Sequence, residues 1–350
     1  MSPPPSPLQT GATPARIAAI ATHLPERVLS NDQLAELYPS WPAAKIFDKT
    51  GIHERRIAGE DETAADLAYA AAARLFETGA VARDEVDFLI FCTQAPDHVL
   101  PTSACILQHR LGLPTRVGAL DINLGCSGFV YGLSLAAGLI ASGAAATILL
   151  LTADTYSKFI HPKDKSVRTL FGDGAAATLI RTGELDGTAG IGPFVFGTDG
   201  SGAGDLIVEA GAARLPRSVD TAQEVTDATG NVRSRDNLYM NGGAVLNFTL
   251  REVPRAVAAL LAKTGTATKD YDKFVLHQAN KFMLDALGKK LAVPPERLSR
   301  HFERIGNTVS STIPFVLERE MADGACFPGT RMMLVGFGVG LSWAAASITF

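Results

Sequence analysis

The chain has 350 residues, of which 47% are hydrophobic, and this is enough apolar material for the core of one large domain or of two fused halves. Its 32 basic and 36 acidic residues give a net charge of -4, so the overall charge argues against binding to nucleic acid or to an anionic membrane. Four cysteines without a Cys-x-x-Cys pair argue against a disulfide framework and a zinc site, and they favour a reducing, cytoplasmic compartment.

The N-terminal residues 1–14 are rich in proline and serine and lack the basic and apolar regions of a signal peptide, so we expect a disordered tail. Residues 122–153 carry no charge, but the Ser142-Gly143 pair divides them into a helix of about 16 residues and a short strand, each too short to span a membrane. We therefore expect a buried helix here and no membrane partner.

Buried strands and helices alternate through the first half of the chain. We predict strands at 16–23, 86–92, 117–122 and 146–152 and one ending at 180, and helices at 32–38, 63–78 and 103–110 and one after Cys126. The charged segment 48–57 contains a glycine turn, which predicts a surface position. This alternation predicts an α/β fold with a mainly parallel sheet.

The element order starts again after a glycine-containing boundary at 183–190. We predict strands at 191–197, 274–277, 332–335 and 343–350 and helices at 243–263, 282–291 and 309–321, with a polar insertion or lid at 214–237. The repeated order predicts a structural duplication. We expect a first half over 15–185 and a second half over 186–350, after the tail at 1–14.

Cys126 follows a predicted strand and precedes a predicted helix. The unpaired amides and the positive dipole end of a first helical turn favour a thiolate, so this is a position for a cysteine nucleophile. The flanking Gly125 and Gly128 let a ligand approach the backbone closely. Free cysteines are more often small core residues, and we assign that role to the others, which are Cys92, Cys105 and Cys326.

His277 ends a buried strand, and Asn307 lies in a Gly-Asn-Thr turn before a helix. Alone, the histidine is most simply a structural donor and the asparagine a helix cap. Together with Cys126 they supply a nucleophile and two polar groups that can polarise a carbonyl or move a proton. A papain-like hydrolase and an acyl-condensing enzyme both remain open. The charge-free helix after Cys126 favours condensation, because it implies an apolar tunnel for an acyl chain.

Several spaced blocks resemble those of β-ketoacyl-acyl carrier protein synthase III, the initiating condensing enzymes of the thiolase superfamily. The matching blocks are Asn123 to Phe129, Phe171 to Ala175, His277 to Asn280, Gly306 to Thr308 and Gly336 to Gly338, with an early block around Gly51 and Arg55. The resemblance covers roughly residues 16–350. It implies a five-layered αβαβα thiolase-like fold of two related halves, and a homodimer.

The resemblance also implies a role for each residue of the site. Cys126 would accept an acyl group from acyl-coenzyme A, with its own amide and that of Val339 as the oxyanion hole. His277 and Asn307 would bind the thioester of malonyl-acyl carrier protein and promote decarboxylation, so that the carbanion gives a 3-ketoacyl product. No metal or redox cofactor is implied. The alternative is a same-fold acyltransferase that passes the acyl group from Cys126 to an amine or hydroxyl acceptor.

Some positions depart from the family pattern. Lys45 and Lys165 stand where the family often stacks coenzyme A adenine between Trp and Arg, and lysine is a poor stacking plane, so the donor or the pathway is predicted to differ. Leu100 replaces a bulkier gate that reaches the partner's tunnel, which favours a longer or branched primer. Further substrate contacts are implied for Lys49, Phe171 and Asn280. Carrier-protein docking is implied for Lys281, Lys289 and Lys290, although lysines on a helix face are usually only solvated.

Overall fold

The computed structural model describes residues 14–183 and 190–350. The predicted tail at 1–14 and the predicted boundary at 183–190 lie almost wholly outside these ranges. The division into halves at 185 and 186 therefore stays a prediction. Within the described ranges, no helix is both long and apolar enough to cross a membrane.

The described strands and helices follow the order that the sequence predicts, with several short strands and the helices α2 and α6 added. The strands are β1 (Ala15–His23), β2 (Val28–Ser30), β3 (Glu54–Arg56), β4 (Phe88–Cys92), β5 (Gly118–Ile122), β6 (Thr147–Asp154), β7 (Gly174–Thr182), β8 (Gly190–Thr198), β9 (Leu206–Val208), β10 (Val225–Thr226), β11 (Val232–Arg233), β12 (Leu238–Met240), β13 (Lys273–Leu276), β14 (Arg331–Gly338) and β15 (Ser342–Thr349). The helices are α1 (Asn31–Leu37), α2 (Ala43–Thr50), α3 (Ala64–Glu77), α4 (Ser103–Arg110), α5 (Gly128–Ala141), α6 (Lys165–Arg168), α7 (Gly242–Thr264), α8 (Lys281–Leu291) and α9 (Thr312–Ala322).

Two large sheets repeat one topology. The first has the strand order β1-β7-β6-β4-β5, and the second has the order β8-β15-β14-β13. In the first sheet β7 is antiparallel to β1 and β6, while β4 is parallel to β6. In the second sheet β15 is antiparallel to β8 and β14, while β13 is parallel to β14. The two halves therefore share strand order and strand direction, as a duplication requires.

The predicted mainly parallel sheet is wrong, because both sheets are mixed. Parallel neighbours need a crossover connection, whereas antiparallel neighbours can be joined directly. The three residues 339–341 join β14 to β15, so this pair can only be antiparallel. Continuous apolar composition did not reveal strand direction, since strands covered on both faces are apolar in either direction.

The helices complete five layers. α3 and α4 cover the outer face of the first sheet, α7 covers the outer face of the second with α8 packed against it, and α5 and α9 lie between the sheets. The middle layer explains the charge-free sequence of α5, because Val130 and Leu133 on this helix share one core with Ile90 of the first sheet and Leu334 of the second. The αβαβα order confirms the predicted fold class and is incompatible with the two-domain cleft of a papain-like hydrolase.

The segment 48–57 is not simply a surface segment, which corrects the prediction from its charge. Arg55 is fully buried, and its guanidinium donates to Asn31 Oδ1 at 2.9 Å and to the Thr169 carbonyl at 2.9 Å. A Cβ at Gly306 would lie 2.8 Å from the Arg55 Cβ, so this arginine lies directly under the turn that carries Asn307. Buried hydrogen-bond acceptors, rather than solvent, satisfy its charge.

The predicted core role of the remaining cysteines holds for Cys92, holds in part for Cys326 and is wrong for Cys105. Cys92 is buried, and its thiol lies 3.1 Å from the Leu124 carbonyl. Cys326 is half-buried and packs against the core between the sheets. Cys105 is exposed on the outer helix α4.

Candidate active site

One cavity of about 240 Å³ brings Cys126, His277 and Asn307 together. All three side chains are at least nine-tenths buried, with exposed fractions of 4%, 2% and 5%. His277 directly follows β13, while Cys126 and Asn307 lie in the turns that lead to the two central helices. The carboxyl edges of the two sheets thus converge on a single site, which is where ligands bind in open α/β sheets.

Glycines hold the strand β14 directly against the Cys126 turn. A Cβ at Gly338 would lie 2.8 Å from the Cys126 Sγ, and a Cβ at Gly336 would lie 2.8 Å from the Cys126 carbonyl oxygen. Gly125 has the same function, because its Cβ would lie 2.6 Å from a methyl of Val339. This corrects the expectation that the glycines beside Cys126 admit a ligand, since protein atoms occupy the space they leave.

Burial, together with the nearby Asp154, raises the pKa of the Cys126 thiol to about 12. The expectation that the helix turn favours a thiolate is therefore wrong. The backbone amides of Val339 and Cys126 act in the opposite direction, because both donate to the sulfur and lower its pKa. These are the two amides predicted for the oxyanion hole.

His277 is neutral at physiological pH. Burial lowers the pKa of its imidazole to about 3. Its Nδ1 lies 2.7 Å from the hydroxyl of Thr312, the first residue of α9, so Thr312 fixes the ring's orientation. The same hydroxyl lies 3.2 Å from the Val309 carbonyl, and the group to which it donates sets the tautomer of His277. When the Thr312 hydroxyl donates to Nδ1, the single ring proton lies on Nε2, which then becomes a hydrogen-bond donor.

Hydrogen bonds from both halves of the chain hold the backbone and the side chain of Asn307 in place. Its amide donates to the Leu170 carbonyl at 2.9 Å, and its carbonyl accepts from the Gly172 amide at 3.0 Å, which joins it to the segment of Phe171. Its Oδ1 accepts from the Val309 amide at 2.9 Å, which leaves the Nδ2 group as the donor for a ligand. Val309 has a φ of 56°, a strained conformation for a β-branched residue.

Asp154 at the end of β6 joins the segment after β4 to the segment after Asn307, and the sequence analysis did not identify it. Its carboxylate accepts from the Gln94 amide at 2.8 Å and from the Ser310 hydroxyl at 2.5 Å. Burial raises the pKa of this carboxyl to about 7. The sequence contains a signal for it, since Asp154 ends an apolar strand of the first sheet just as His277 directly follows an apolar strand of the second. No three His, Cys, Asp or Glu side chains of residues 14–183 and 190–350 converge to hold a metal ion.

The mouth of the cavity carries an aromatic residue that the sequence analysis missed. Trp41 lines the cavity together with Lys49. Lys45 does not line it. Its Nζ donates to the Ser40 carbonyl at 3.1 Å and lies 5.1 Å from the centre of the Trp41 ring. The prediction that Lys45 replaces an aromatic plane is therefore corrected, because a tryptophan one helical turn earlier in the chain supplies one.

Lys165 lines the mouth, but the predicted insertion at 214–237 binds its ammonium. Its Nζ donates to the Thr229 carbonyl at 2.6 Å and to Asn231 Oδ1 at 2.9 Å. Thr229 and Asn231 lie between β10 and β11, so the insertion folds as a hairpin over this lysine. Arg233 of the hairpin pairs with Asp164 at 2.9 Å, which holds the hairpin at the mouth.

The remaining predicted contacts fall into two groups. Phe171 and Asn280 line the cavity, and the Asn280 side chain also caps α8 by accepting from the Met283 amide at 2.9 Å. Leu100 does not line the cavity of its own chain, and its exposed fraction is 80%. The predicted docking residues are exposed on α8; they are Lys281, Lys289 and Lys290. Lys281 pairs with an aspartate on the same helix.

Comparison with known proteins gives a consistent result. The family profile named 3-oxoacyl-[acyl-carrier-protein (ACP)] synthase III matches residues 120–200, and its C-terminal profile matches residues 261–350. A β-ketoacyl-[acyl-carrier-protein] synthase III of Streptomyces coelicolor is 34% identical over 337 residues, which cover 95% of this chain and 96% of that protein.

Solved structures agree with the sequence relatives. A crystal structure of a 3-oxoacyl-(acyl-carrier-protein) synthase III is 62% identical with a TM-score of 0.95, covering 96% of this chain and 100% of that one. The priming β-ketosynthase of the R1128 polyketide pathway is 30% identical with a TM-score of 0.83, and each chain is 99% covered. On this evidence the chain belongs to the β-ketoacyl-[acyl-carrier-protein] synthase III family and is a condensing enzyme with the thiolase-like fold.

Proposed function

We propose that the chain primes an acyl chain in fatty acid or specialised acyl biosynthesis, with Cys126 as the nucleophile. The placement of Cys126, His277 and Asn307 on the walls of one buried cavity carries this proposal. The Cys126 sulfur attacks the carbonyl of an acyl thioester, and the thiol proton is transferred to the departing thiolate. The two amides hold the oxyanion of the tetrahedral intermediate, and collapse leaves the acyl group on Cys126.

The second step uses the donors on the opposite wall. His277 Nε2 and Asn307 Nδ2 donate to the thioester oxygen of a malonyl group. Carbon dioxide leaves, and the electron pair of the broken carbon–carbon bond forms an enolate that these donors stabilise. The enolate carbon attacks the acyl-Cys126 carbonyl, the Cys126 thiolate leaves, and a 3-ketoacyl thioester results. Neither step requires a metal or a redox cofactor.

The residues at the cavity mouth favour an acyl carrier that has an anionic part and an aromatic part. We infer that acyl-coenzyme A is the donor, since Trp41 offers a stacking plane and Lys49 lines the same mouth. We infer that malonyl-acyl carrier protein is the second substrate, with the exposed lysines at 281, 289 and 290 as its docking site. The reduced cysteines support a cytoplasmic location.

We also propose a homodimer. Val99 and Leu100 are adjacent apolar residues with exposed fractions of 96% and 80%, a combination that favours burial against another chain. They project from the loop before α4, next to the edge strand β5 that precedes Cys126. In such a dimer Leu100 of one protomer reaches the acyl end of its partner's cavity.

Intact-mass spectrometry after incubation with a panel of acyl-coenzyme A thioesters tests the nucleophile. We expect the wild type to gain the mass of one acyl group, and Cys126→Ala to gain none. Cys105→Ala is the matched control, because this cysteine is exposed and outside the cavity. An adduct that persists in Cys126→Ala contradicts the assignment.

Addition of malonyl-acyl carrier protein to the acyl-enzyme tests the condensation. We expect release of carbon dioxide and formation of a 3-ketoacyl product in equal amounts. Transfer of the acyl group to an amine or hydroxyl acceptor without carbon dioxide release would instead establish the same-fold acyltransferase.

A further inference from the structure

The wall of the cavity contains one hydroxyl without a partner. Thr249 on α7 lines the cavity, its side chain is fully buried, and its Oγ1 makes no hydrogen bond to any atom of residues 14–183 and 190–350. A buried hydroxyl without a partner is costly to desolvate, so such a group calls for an explanation. Neither catalytic step proposed above uses it.

Local helix geometry does not explain this hydroxyl. A threonine within a helix can donate to the carbonyl four residues earlier, and Thr264 on the same helix does so to Leu260 at 2.9 Å. Thr50 on α2 likewise donates to Ile46 at 2.8 Å. The carbonyl that Thr249 could use in this way belongs to Val245, and no such bond forms among the described contacts.

Thr249 lies deep in the cavity, on the path that a thioester takes from the mouth. Gly242, Val245 and Thr249 are spaced for one face of α7, and all three line the cavity. Gly242 is exposed at the mouth, whereas Thr249 is buried beside the catalytic residues. The helix rise places the two about 10 Å apart. A thioester that reaches Cys126 from the mouth therefore passes along this face.

The cavity that Thr249 lines is partly apolar. Leu206, Met240, Val245 and Phe337 line it and offer no hydrogen-bonding side chain. A saturated alkyl chain would leave the Thr249 hydroxyl unsatisfied, whereas an uncharged polar group at this depth would satisfy it.

We propose that Thr249 is a specificity-determining residue, which hydrogen-bonds an uncharged polar group carried by the thioester substrate. This inference rests on the proposed function, because it assumes that a thioester occupies the cavity. The polar group is a hydroxyl or keto oxygen of the acyl chain, or an amide of the arm that bears the thioester. Both sources present the same chemistry to a hydroxyl that can donate and accept.

The test compares acyl-enzyme formation rates in wild type, Thr249→Val and Thr249→Ser. Valine has nearly the same shape without the hydroxyl, and serine restores the hydroxyl. Thr178→Val is the matched control, since Thr178 is also buried with an unpartnered hydroxyl but belongs to β7 and does not line the cavity. The substrates are butyryl-coenzyme A, 3-hydroxybutyryl-coenzyme A and the butyryl thioester of ethanethiol, which has no amide.

We expect Thr249→Val to lower kcat/KM roughly tenfold for the substrates that carry the recognised group, and Thr249→Ser to restore most of it. Loss with both coenzyme A thioesters but not with the ethanethiol ester places the group on the arm. Loss confined to the 3-hydroxybutyryl thioester places it on the acyl chain.

Equal rates of wild type and Thr249→Val with every substrate would overturn the inference, and so would an equal loss in Thr178→Val. Failure of the proposed function is a different result, in which the wild type itself forms no adduct on Cys126 with any of these thioesters.

Discussion

The turn that carries Cys126 and the turn that carries Asn307 occupy equivalent places in the two halves. Each leads to a central helix that contacts both sheets, α5 in the first half and α9 in the second. In the first turn, the backbone amides of Cys126 and Val339 lower the pKa of the Cys126 thiol. Protein atoms fill the space beside the flanking glycines of this turn. The second turn holds a carboxamide and a residue with a positive φ, Val309.

In the proposed function, the difference between the two turns separates the two chemical steps. The first turn is assigned the nucleophile and the backbone donors for a tetrahedral oxyanion. The second turn is assigned a side-chain donor that, with His277, serves an enolate oxygen. On this proposal, duplication of one fold gives two equivalent positions, and each position serves a different half of the reaction. Variants at each turn should affect one step and leave the other intact.

The largest expected effect concerns the first turn. Because the pKa of the Cys126 thiol is raised to about 12, its thiolate fraction should still increase with pH throughout the accessible range. We expect the rate of iodoacetamide labelling at Cys126 to rise roughly tenfold per pH unit, or about a thousandfold between pH 6 and pH 9. Peptide mapping separates this label from that on the exposed Cys105. A rate that levels off near pH 7 would show that the turn does favour a thiolate.

The next largest effect concerns the second turn. Asn307→Ala should leave acyl-enzyme formation intact and lower 3-ketoacyl formation roughly a hundred- to a thousandfold, as loss of one oxyanion donor does. Asn307→Asp sharpens the test, because a carboxylate still accepts from the Val309 amide but cannot donate. The exposed Asn247 on α7 provides the control variant Asn247→Ala. Equal loss of acylation and condensation in the Asn307 variants is the contrary outcome.

A smaller effect is expected at the support of His277. Thr312→Val removes the hydroxyl that lies 2.7 Å from His277 Nδ1, so the ring proton is no longer held on Nε2. We expect condensation to fall about tenfold, the value of one hydrogen bond, while Thr312→Ser retains most of the rate. Rates of carbon dioxide release from malonyl-acyl carrier protein measure the effect. A similar loss in Thr312→Ser would point to packing of the methyl group instead.

Much of the fold follows from sequence patterns that act locally. The period of the apolar residues and the caps, such as Ser30 before α1 and Thr63 before α3, predict the helices within a few residues. The repeated element order predicts the two halves. Strand direction could not be predicted from composition, because the covered strands of both sheets are apolar whatever their direction.

The residues of the site that were missed depend on contacts between distant segments. Thr312 matters because it lies next to His277, which is 35 residues earlier in the chain. Trp41 reaches the cavity mouth only because α2 packs against α8. The pKa of Cys126 depends on how completely the second sheet covers the first turn. No local pattern around Cys126 contains that information, and the dipole argument alone therefore gave the wrong direction.

The segregation of the two sheets has a consequence for synthesis on the ribosome. Every strand of the first sheet lies within residues 15–182, so this sheet can pair before the second half has been translated. Its inner face and α5 then expose Val130, Leu133 and their neighbours until the second sheet arrives. The nascent first half should therefore be a client for chaperones. The cavity around Cys126 acquires its opposite wall only when Asn307 has emerged.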